Sequence, residues 1–473
     1  MVAADAPDSG EVTGRPIHEL AVMIRTGEVS PLEMVREYLR RIDLMNPRVN
    51  AYITVDPEGA IDTARKQEEA VAEGKPLGRL AGVPVALKDN FDYAGLPTTA
   101  GSAAMRGNMP TADSAVASRL RAEGAVVLGK LHLHEWAIGA TSVNPHFGPA
   151  RNPWDVSRSP GGSSGGAGVA VIGDLAAAAI GSDTGGSVRI PAAMCGVSGL
   201  RPTFGRVSTR GLHPVSWSHD APGPLARSAE DVALVLEAIA GYDPVDPTSA
   251  MRPSEQFLTQ PVSGIRQLRV GLLQGMFESD AQREVYALAR EACDRLSDLG
   301  ARVSETVLSG AEEAVEHSSW ITHAEAAAAH RDRLAAQPSH YGGDVKRRLR
   351  YGLQITGAQY ALARQGGRSW RRELAQALEG FDVLVTPTCP VVAPRIDGSD
   401  GVETTRLLTR FTYPFSLANV PAMSIPCGLS SEGLPVGLQL VSGHWQERRL
   451  VDVACAYQEV TRWHVARPSG LMP

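Results

Sequence analysis

Gly82-Val83-Pro84-Val85-Ala86-Leu87-Lys88, Ser114-Ala115-Val116-Ala117-Ser118-Arg119-Leu120-Arg121-Ala122-Glu123, Ala125-Val126-Val127-Leu128 and Ala176-Ala177-Ala178-Ala179-Ile180 together decide the fold. Val83–Leu87, Ala125–Leu128 and Ala176–Ile180 are short apolar runs bounded by glycine or polar residues, as strands buried on both faces are. Ser114–Glu123, between the first two, has the spacing of a helix. This alternation predicts an α/β fold with a largely parallel sheet covered by helices on both faces. On such sheets chemistry collects in the loops at the strand ends.

Working outward, Ser30-Pro31-Leu32-Glu33 supplies an N-cap, a proline at the first helical position and an acid in the first turn. Leu32, Val35, Leu39 and Ile42 continue it as an amphipathic helix, and a second helix is expected near Ala60–Glu73. Met1–Gly14 reads as a flexible leader without the basic-then-apolar order of a signal peptide. Toward the other end, residues 311–378 are helical in pattern and form an expected cover over the sheet. Phe381–Thr386 is another strand, and Ser424–Leu429 and Val436–Val441 form a hairpin or neighbouring strands. Leu450, Val453, Ala454, Tyr457 and Val460 mark a closing helix. No linker divides the middle of the chain, so residues 15–473 are expected to form a single domain.

Of the 473 residues, 43% are hydrophobic, enough for a large core. Lys and Arg number 46 against 52 Asp and Glu, a net charge of −6. That balance argues against nucleic acid as a partner, which needs a basic face. Arg347–Arg348 and Arg371–Arg372 read as solvated helix faces. Five cysteines, never in a CxxC pair, suit a reducing compartment. The most apolar stretch, Ala167–Gly181, is broken by Asp174 and too short to span a bilayer. The expected setting is therefore cytoplasmic, without membrane contact; homo-oligomerisation stays open.

Two glycine-rich loops carry the chemistry: Ser159-Pro160-Gly161-Gly162-Ser163-Ser164-Gly165-Gly166 and Gly181-Ser182-Asp183-Thr184-Gly185-Gly186-Ser187-Val188-Arg189. A flexible linker is the bland reading of the first, but linkers do not run straight into apolar helix and strand patterns. A phosphate cradle would need a lysine that this loop lacks. In the second loop Thr184, Gly185, Gly186 and Ser187 can turn several N–H groups toward one point, as a developing oxyanion requires; each donor is worth roughly 3 kcal/mol. Ser187 would attack beside its own oxyanion hole, with Asp183 and Arg189 bracing the loop. A serine nucleophile needs a base, and neither loop holds a histidine. Lys88, at the end of an apolar strand, is the alternative.

Through Gly82–Ser208 the chain resembles the amidase signature hydrolases: Pro160-Gly-Gly-Ser-Ser-Gly-Gly166, Gly181-Ser-Asp-Thr-Gly-Gly-Ser-Val-Arg-Ile-Pro-Ala192 and Gly199-Leu-Arg-Pro-Thr-Phe-Gly-Arg-Val-Ser208. The likeness is looser toward the end, including Phe381-Asp-Val-Leu-Val-Thr-Pro-Thr388 and Gly433-Leu-Pro-Val-Gly-Leu-Gln-Leu440. The resemblance implies a large mixed, mostly parallel β-sheet sandwiched between layers of α-helices. It also implies a Ser–cis-Ser–Lys triad, with Ser187 as nucleophile, Ser163 as the bridging serine and Lys88 as base. The implied activity is hydrolysis of a carboxylic amide, or a related anilide, carbamate or ester, on a small molecule and without a cofactor. A second reading is the glutamine-hydrolysing subunit of a tRNA-dependent amidotransferase. Those subunits hold glutamine with an Arg and an Asp, whose positions fall near Gly367 and Thr409, so a stand-alone linear amidase is preferred. A third reading, a binding protein without activity, sits poorly with intact Lys88, Ser163 and Ser187.

His132, His134, Glu135 and His146 are the rival constellation, a metal site, though paired loop histidines are far more often packed or solvated. No metal is expected. Lys130, a second lysine at a strand end, reads as structural, and Cys195, among small and apolar neighbours, as an inert thiol. Trp136, Trp217, Phe411, Tyr413 and Phe415 are candidate pocket aromatics, each singly a core or rim residue.

Overall fold

The computed structural model describes residues 12–253, 255–258, 265–398 and 400–469. Among them lie thirteen strands: β1 (Tyr52–Val55), β2 (Pro84–Lys88), β3 (Val126–Leu131), β4 (Val143–Asn144), β5 (Gly148–Pro149), β6 (Ala178–Asp183), β7 (Ser198–Arg201), β8 (Ala221–Ala226), β9 (Arg269–Leu273), β10 (Arg302–Thr306), β11 (Val383–Pro387), β12 (Ala422–Leu429) and β13 (Pro435–Val441). β4 and β5 pair with each other; the rest form one sheet ordered β1-β3-β2-β6-β8-β7-β12-β13-β11-β9-β10. The expected large mixed sheet is present. Its parallel pairings gather in two runs, β3-β2-β6 and β11-β9-β10. The strands between those runs pair antiparallel, as does β1 at its edge.

Successive residues of β2 serve opposite faces, the period-2 rule of a strand. Val85 and Leu87 join a core completed by the helices Ala229–Ile239, Arg283–Asp298 and Glu447–Val460. Ala86 joins another, with the helices Pro31–Val49 and Gly165–Ile172. The first of these, Pro31–Val49, starts as expected: Ser30 and Glu33 close a capping box ahead of Pro31 at the first position.

The expected cover is three helices, Ala311–Ala336, Gly343–Gln354 and Gly357–Gly380. Ile321, Ala363 and Trp370 from it pack against Leu384 of β11 and Val441 of β13. The expected leader falls mostly outside the described residues, and within it Thr13 is buried. No helix among the described residues is long and apolar enough to cross a membrane.

Candidate active site

β2 and β6 are parallel neighbours in register Leu87↔Ile180, so Lys88 and Asp183, their last residues, emerge at one edge. The loop Thr184–Val188 leaves β6 there and enters the helix Arg189–Cys195. The other glycine loop arrives alongside, tied by Ser164 N–H donating to Ser187 O at 3.2 Å. The Gly162–Ser163 peptide is cis. Lys88 Nζ lies 2.6 Å from Ser163 Oγ and 2.9 Å from Ser182 Oγ, and Asn90 Nδ2 donates to Ser182 Oγ at 3.0 Å.

Lys88 is 0% exposed and has no carboxylate within bonding range among the described residues. Burial pulls its ammonium down to about 7, against the pull of the more distant Asp220 and Asp183 charges. A lysine with that value is substantially neutral near pH 7 and can accept a proton.

Asp183 is the keystone of the loop. It accepts from Gly186 N–H at 2.8 Å and Val188 N–H at 3.1 Å. It also accepts from Arg189 Nε at 3.0 Å and Nη2 at 2.9 Å, while Arg201 reaches both its side chain and its carbonyl. Burial alone would raise this carboxyl; Arg189 and Arg201 reverse that and hold it well below the usual carboxylate range. Arg189 is in turn fixed by Gln439 Oε1 and Ser416 Oγ, each at 2.7 Å. Asp183 and Arg189, the two residues expected to brace the loop, are thus bonded to each other. The expectation for Gly186 needs correction: its N–H faces Asp183, not outward with those of an oxyanion hole. Gly185 and Gly186 cannot carry side chains here. A Cβ on Gly185 would sit 2.0 Å from Tyr413, and Gly186 has φ +126° with Thr412 Oγ1 2.3 Å from where its Cβ would be.

Above the loop lies a small cavity whose wall includes Ser187, Thr184, Gly185, Thr322, His323, Arg348, Thr409 and Tyr413. Arg348 overturns the reading of Arg347–Arg348 as a solvated pair. Arg347 is exposed, but Arg348 is 5% exposed and shares the inner face of its helix with Val345, Leu349 and Gly352. Its Nη2 donates to Gly401 O at 2.8 Å, while Nε has no partner. His323 Nδ1 bonds Ser319 O at 2.8 Å, and burial lowers its pKa to about 4, so this ring is neutral. Of the two positions where the resemblance puts a glutamine-holding Arg and Asp, Thr409 lies on this cavity wall and Gly367 on another; the arginine on this wall is Arg348.

Of the five aromatics only Tyr413 lines this cavity. Phe411 and Phe415 pack on Phe277, and Trp136 on His330 and Tyr341. The histidines are separately engaged: His132 with Gly148 O at 2.8 Å, His134 with Asp344 at 2.9 Å, His146 with Glu135 at 3.0 Å. Lys130 pairs with Asp89 at 3.1 Å, and the Cys195 thiol is raised by burial. Sequence reasoning missed Ser182, Asn90 and Asp220, whose carboxylate accepts from Thr184 Oγ1 at 2.5 Å. It also missed Arg348, which the spacing of Val345, Leu349 and Gly352 could have placed inward.

A family model described as Amidase matches residues 33–451. Among curated proteins, the A subunit of the glutamyl-tRNA(Gln) amidotransferase from Moorella thermoacetica is 40% identical over 475 residues, covering 95% of this chain and 97% of the relative. Among solved structures, a chain of a vestigial protein complex, studied for the evolutionary origins of an s-triazine catabolic enzyme, superposes with a TM-score of 0.91. It is 33% identical, with 96% of this chain and 100% of that one covered. The corresponding glutamyl-tRNA(Gln) amidotransferase subunit from Thermotoga maritima gives a TM-score of 0.82 at 31% identity, covering 96% and 97%.

Proposed function

The chain belongs to the amidase family, and from that premise we propose that it cleaves an amide through an acyl-enzyme on Ser187, with Ser163 and Lys88 as proton relay. The observation that carries this reading is the fully buried contact of Lys88 Nζ with Ser163 Oγ at 2.6 Å. Neutral Lys88 takes the Ser163 proton as Ser163 takes that of Ser187, whose Oγ attacks the amide carbonyl. The N–H groups of Thr184, Gly185 and Ser187 receive the oxyanion. The proton returns through Ser163 to the leaving nitrogen; water then enters by the same relay and releases the acid. A fluorophosphonate is expected to label Ser187 once, and Ser187→Ala to take up none. Labelling that persists at Cys195 in Ser187→Ala would move the chemistry to the thiol.

For the substrate, the relatives support the amidotransferase-type reading above the stand-alone linear amidase preferred from sequence. Arg348 supports it too, as a buried cation suited to a substrate carboxylate. On this reading the protein releases ammonia from glutamine or a similar carboxylate-bearing amide, and works as one member of an assembly whose substrate is aminoacyl-tRNA.

One observation favours a second reading within the same chemistry. Thr409 stands where the resemblance calls for an Asp, and among the described residues the cavity wall holds no carboxylate to meet an α-ammonium. A carboxylate-bearing amide without an amino group fits that wall better. Glutamine and glutaramate, which differ only by that amino group, separate the two. Arg348→Gln is expected to raise KM for either about tenfold or more by removing the carboxylate's partner. Glutamine turned over faster than glutaramate selects the amidotransferase substrate; the reverse selects the second reading. An unchanged KM in Arg348→Gln removes the carboxylate from both.

A further inference from the structure

A second cavity, of about 320 Å³ and open to solvent, backs onto the first without sharing a wall residue. It is lined by Phe204, Trp217, His219, Ile321, Arg371 and Leu417, with Ser218, Arg364 and Asn419 among its polar groups. Residues close in sequence line opposite sides of the partition: Val215 and Trp217, Thr322 and Ile321, Tyr413 and Leu417.

The charge of this second cavity is lopsided. The acid facing Arg364, Glu325, is already saturated. It accepts from Ser216 Oγ and Ser218 Oγ, both at 2.6 Å, from Tyr360 OH at 2.8 Å, and faces Arg364 at 3.7 Å. Arg371, read from sequence as solvated, has one hydrogen bond among the described residues, from Nε to Gly367 O at 3.2 Å. Both its Nη groups are left over. Burial and the neighbouring charges of Arg364 and Arg368 depress its pKa, with no carboxylate opposing them. His219 is 3% exposed with an unpartnered Nδ1, and burial together with Arg201, Arg364 and Arg371 keeps it neutral. Beside these cations Trp217 is 49% exposed, an unusually bare indole, with Phe204, Ile321 and Leu417 adding apolar wall.

We propose that this cavity is a binding site for a small organic anion on a planar body, an aromatic carboxylate or phosphate ester. Its charged end meets Arg371 and Arg364, and its ring lies against Trp217. The volume suits a ligand of that size. Occupancy has a short route to the loop at Ser187: His219 precedes Asp220, which holds Thr184 Oγ1 and the backbone N–H groups of Val215 and Ser216.

Calorimetric titration of the full chain with phenyl phosphate, benzoate and inorganic phosphate tests the assignment. One equivalent of phenyl phosphate or benzoate is expected to bind, and inorganic phosphate to bind more weakly because it lacks the ring. Arg371→Gln is expected to weaken binding about tenfold or more, the cost of one charge-assisted contact. Trp217→Ala is expected to bring phenyl phosphate down to the level of inorganic phosphate. Arg348→Gln, which alters only the Ser187 cavity, is expected to leave binding unchanged. Melting curves of each variant check that it is folded. Binding lost in Arg348→Gln and kept in Arg371→Gln would assign the anion to the Ser187 cavity and overturn the proposal. So would no saturable binding at millimolar concentration, or equal affinity for phosphate and phenyl phosphate.

Discussion

Lys88→Arg and Lys88→Ala are each expected to lower amide turnover by about 10²–10⁴-fold, the range of a lost general base. The arginine variant is the sharper test, because a guanidinium keeps its proton throughout the working pH range. In the unaltered protein, turnover should fall as pH drops through about 7, where Lys88 becomes charged. Near-normal turnover by Lys88→Arg would remove Lys88 from the relay. The same group leaves a mark on stability. Between about 7 and its ordinary value of 10.5, Lys88 is protonated in the unfolded chain and neutral in the folded one. The unfolded state therefore binds more protons in that window, and this contribution makes stability rise with pH there. Below about 7 the penalty is complete and constant. Lys88→Met should remove this contribution, so the stability of the variant relative to the unaltered protein should fall as pH climbs from about 7 toward 10.5. A difference independent of pH would mean that Lys88 stays charged in the fold.

Asp183→Ala is expected to do comparable damage by another route, through folding. It leaves Arg189 and Arg201, both fully buried, without their shared carboxylate, and strips Gly186 and Val188 of their acceptor. Breaking a buried pair by deleting one partner costs about 3–5 kcal/mol. A drop in apparent Tm of about 5 °C or more is expected. Arg189→Met paired with Asp183→Ala should recover part of the loss, since one stranded charge is gone. An unchanged Tm for Asp183→Ala would mean that the loop is held from elsewhere.

The residues proposed to carry the chemistry are legible in the sequence because they are local: two loops, each with serines among paired glycines, and a lysine closing an apolar strand. The alternation over Gly82–Ile180 corresponds to the parallel run β3-β2-β6. The antiparallel centre is not legible in the same way, because β7 and β8 join their neighbours through pairings whose register no local pattern encodes. β9 and β10 also escape; β10 is an edge strand with mostly exposed or half-buried residues and lacks an apolar run. Gly186 shows another limit. Composition says that a glycine can turn its N–H toward a ligand, but only the position of Asp183 says where it does turn. Arg348 is lost when a doublet of like charges is treated as one surface feature, because consecutive helical residues point about 100° apart, here one outward and one inward.

The origin of each wall gives the scaffold a division of labour. Lys88 and Asp183 end adjacent strands whose relative height is set by the ladder Val85↔Ala178 to Leu87↔Ile180, deep in the sheet. The cavity above them takes its identity from residues on other elements, Thr322 and His323 from one cover helix, Arg348 from the next, and Thr409 and Tyr413 from near β12. On the proposed mechanism, reactivity is inherited from the sheet, whereas selectivity is written on a removable ceiling. Exchanging the 311–354 segment for that of a relative should then retune which amide is accepted while leaving the proposed relay in register.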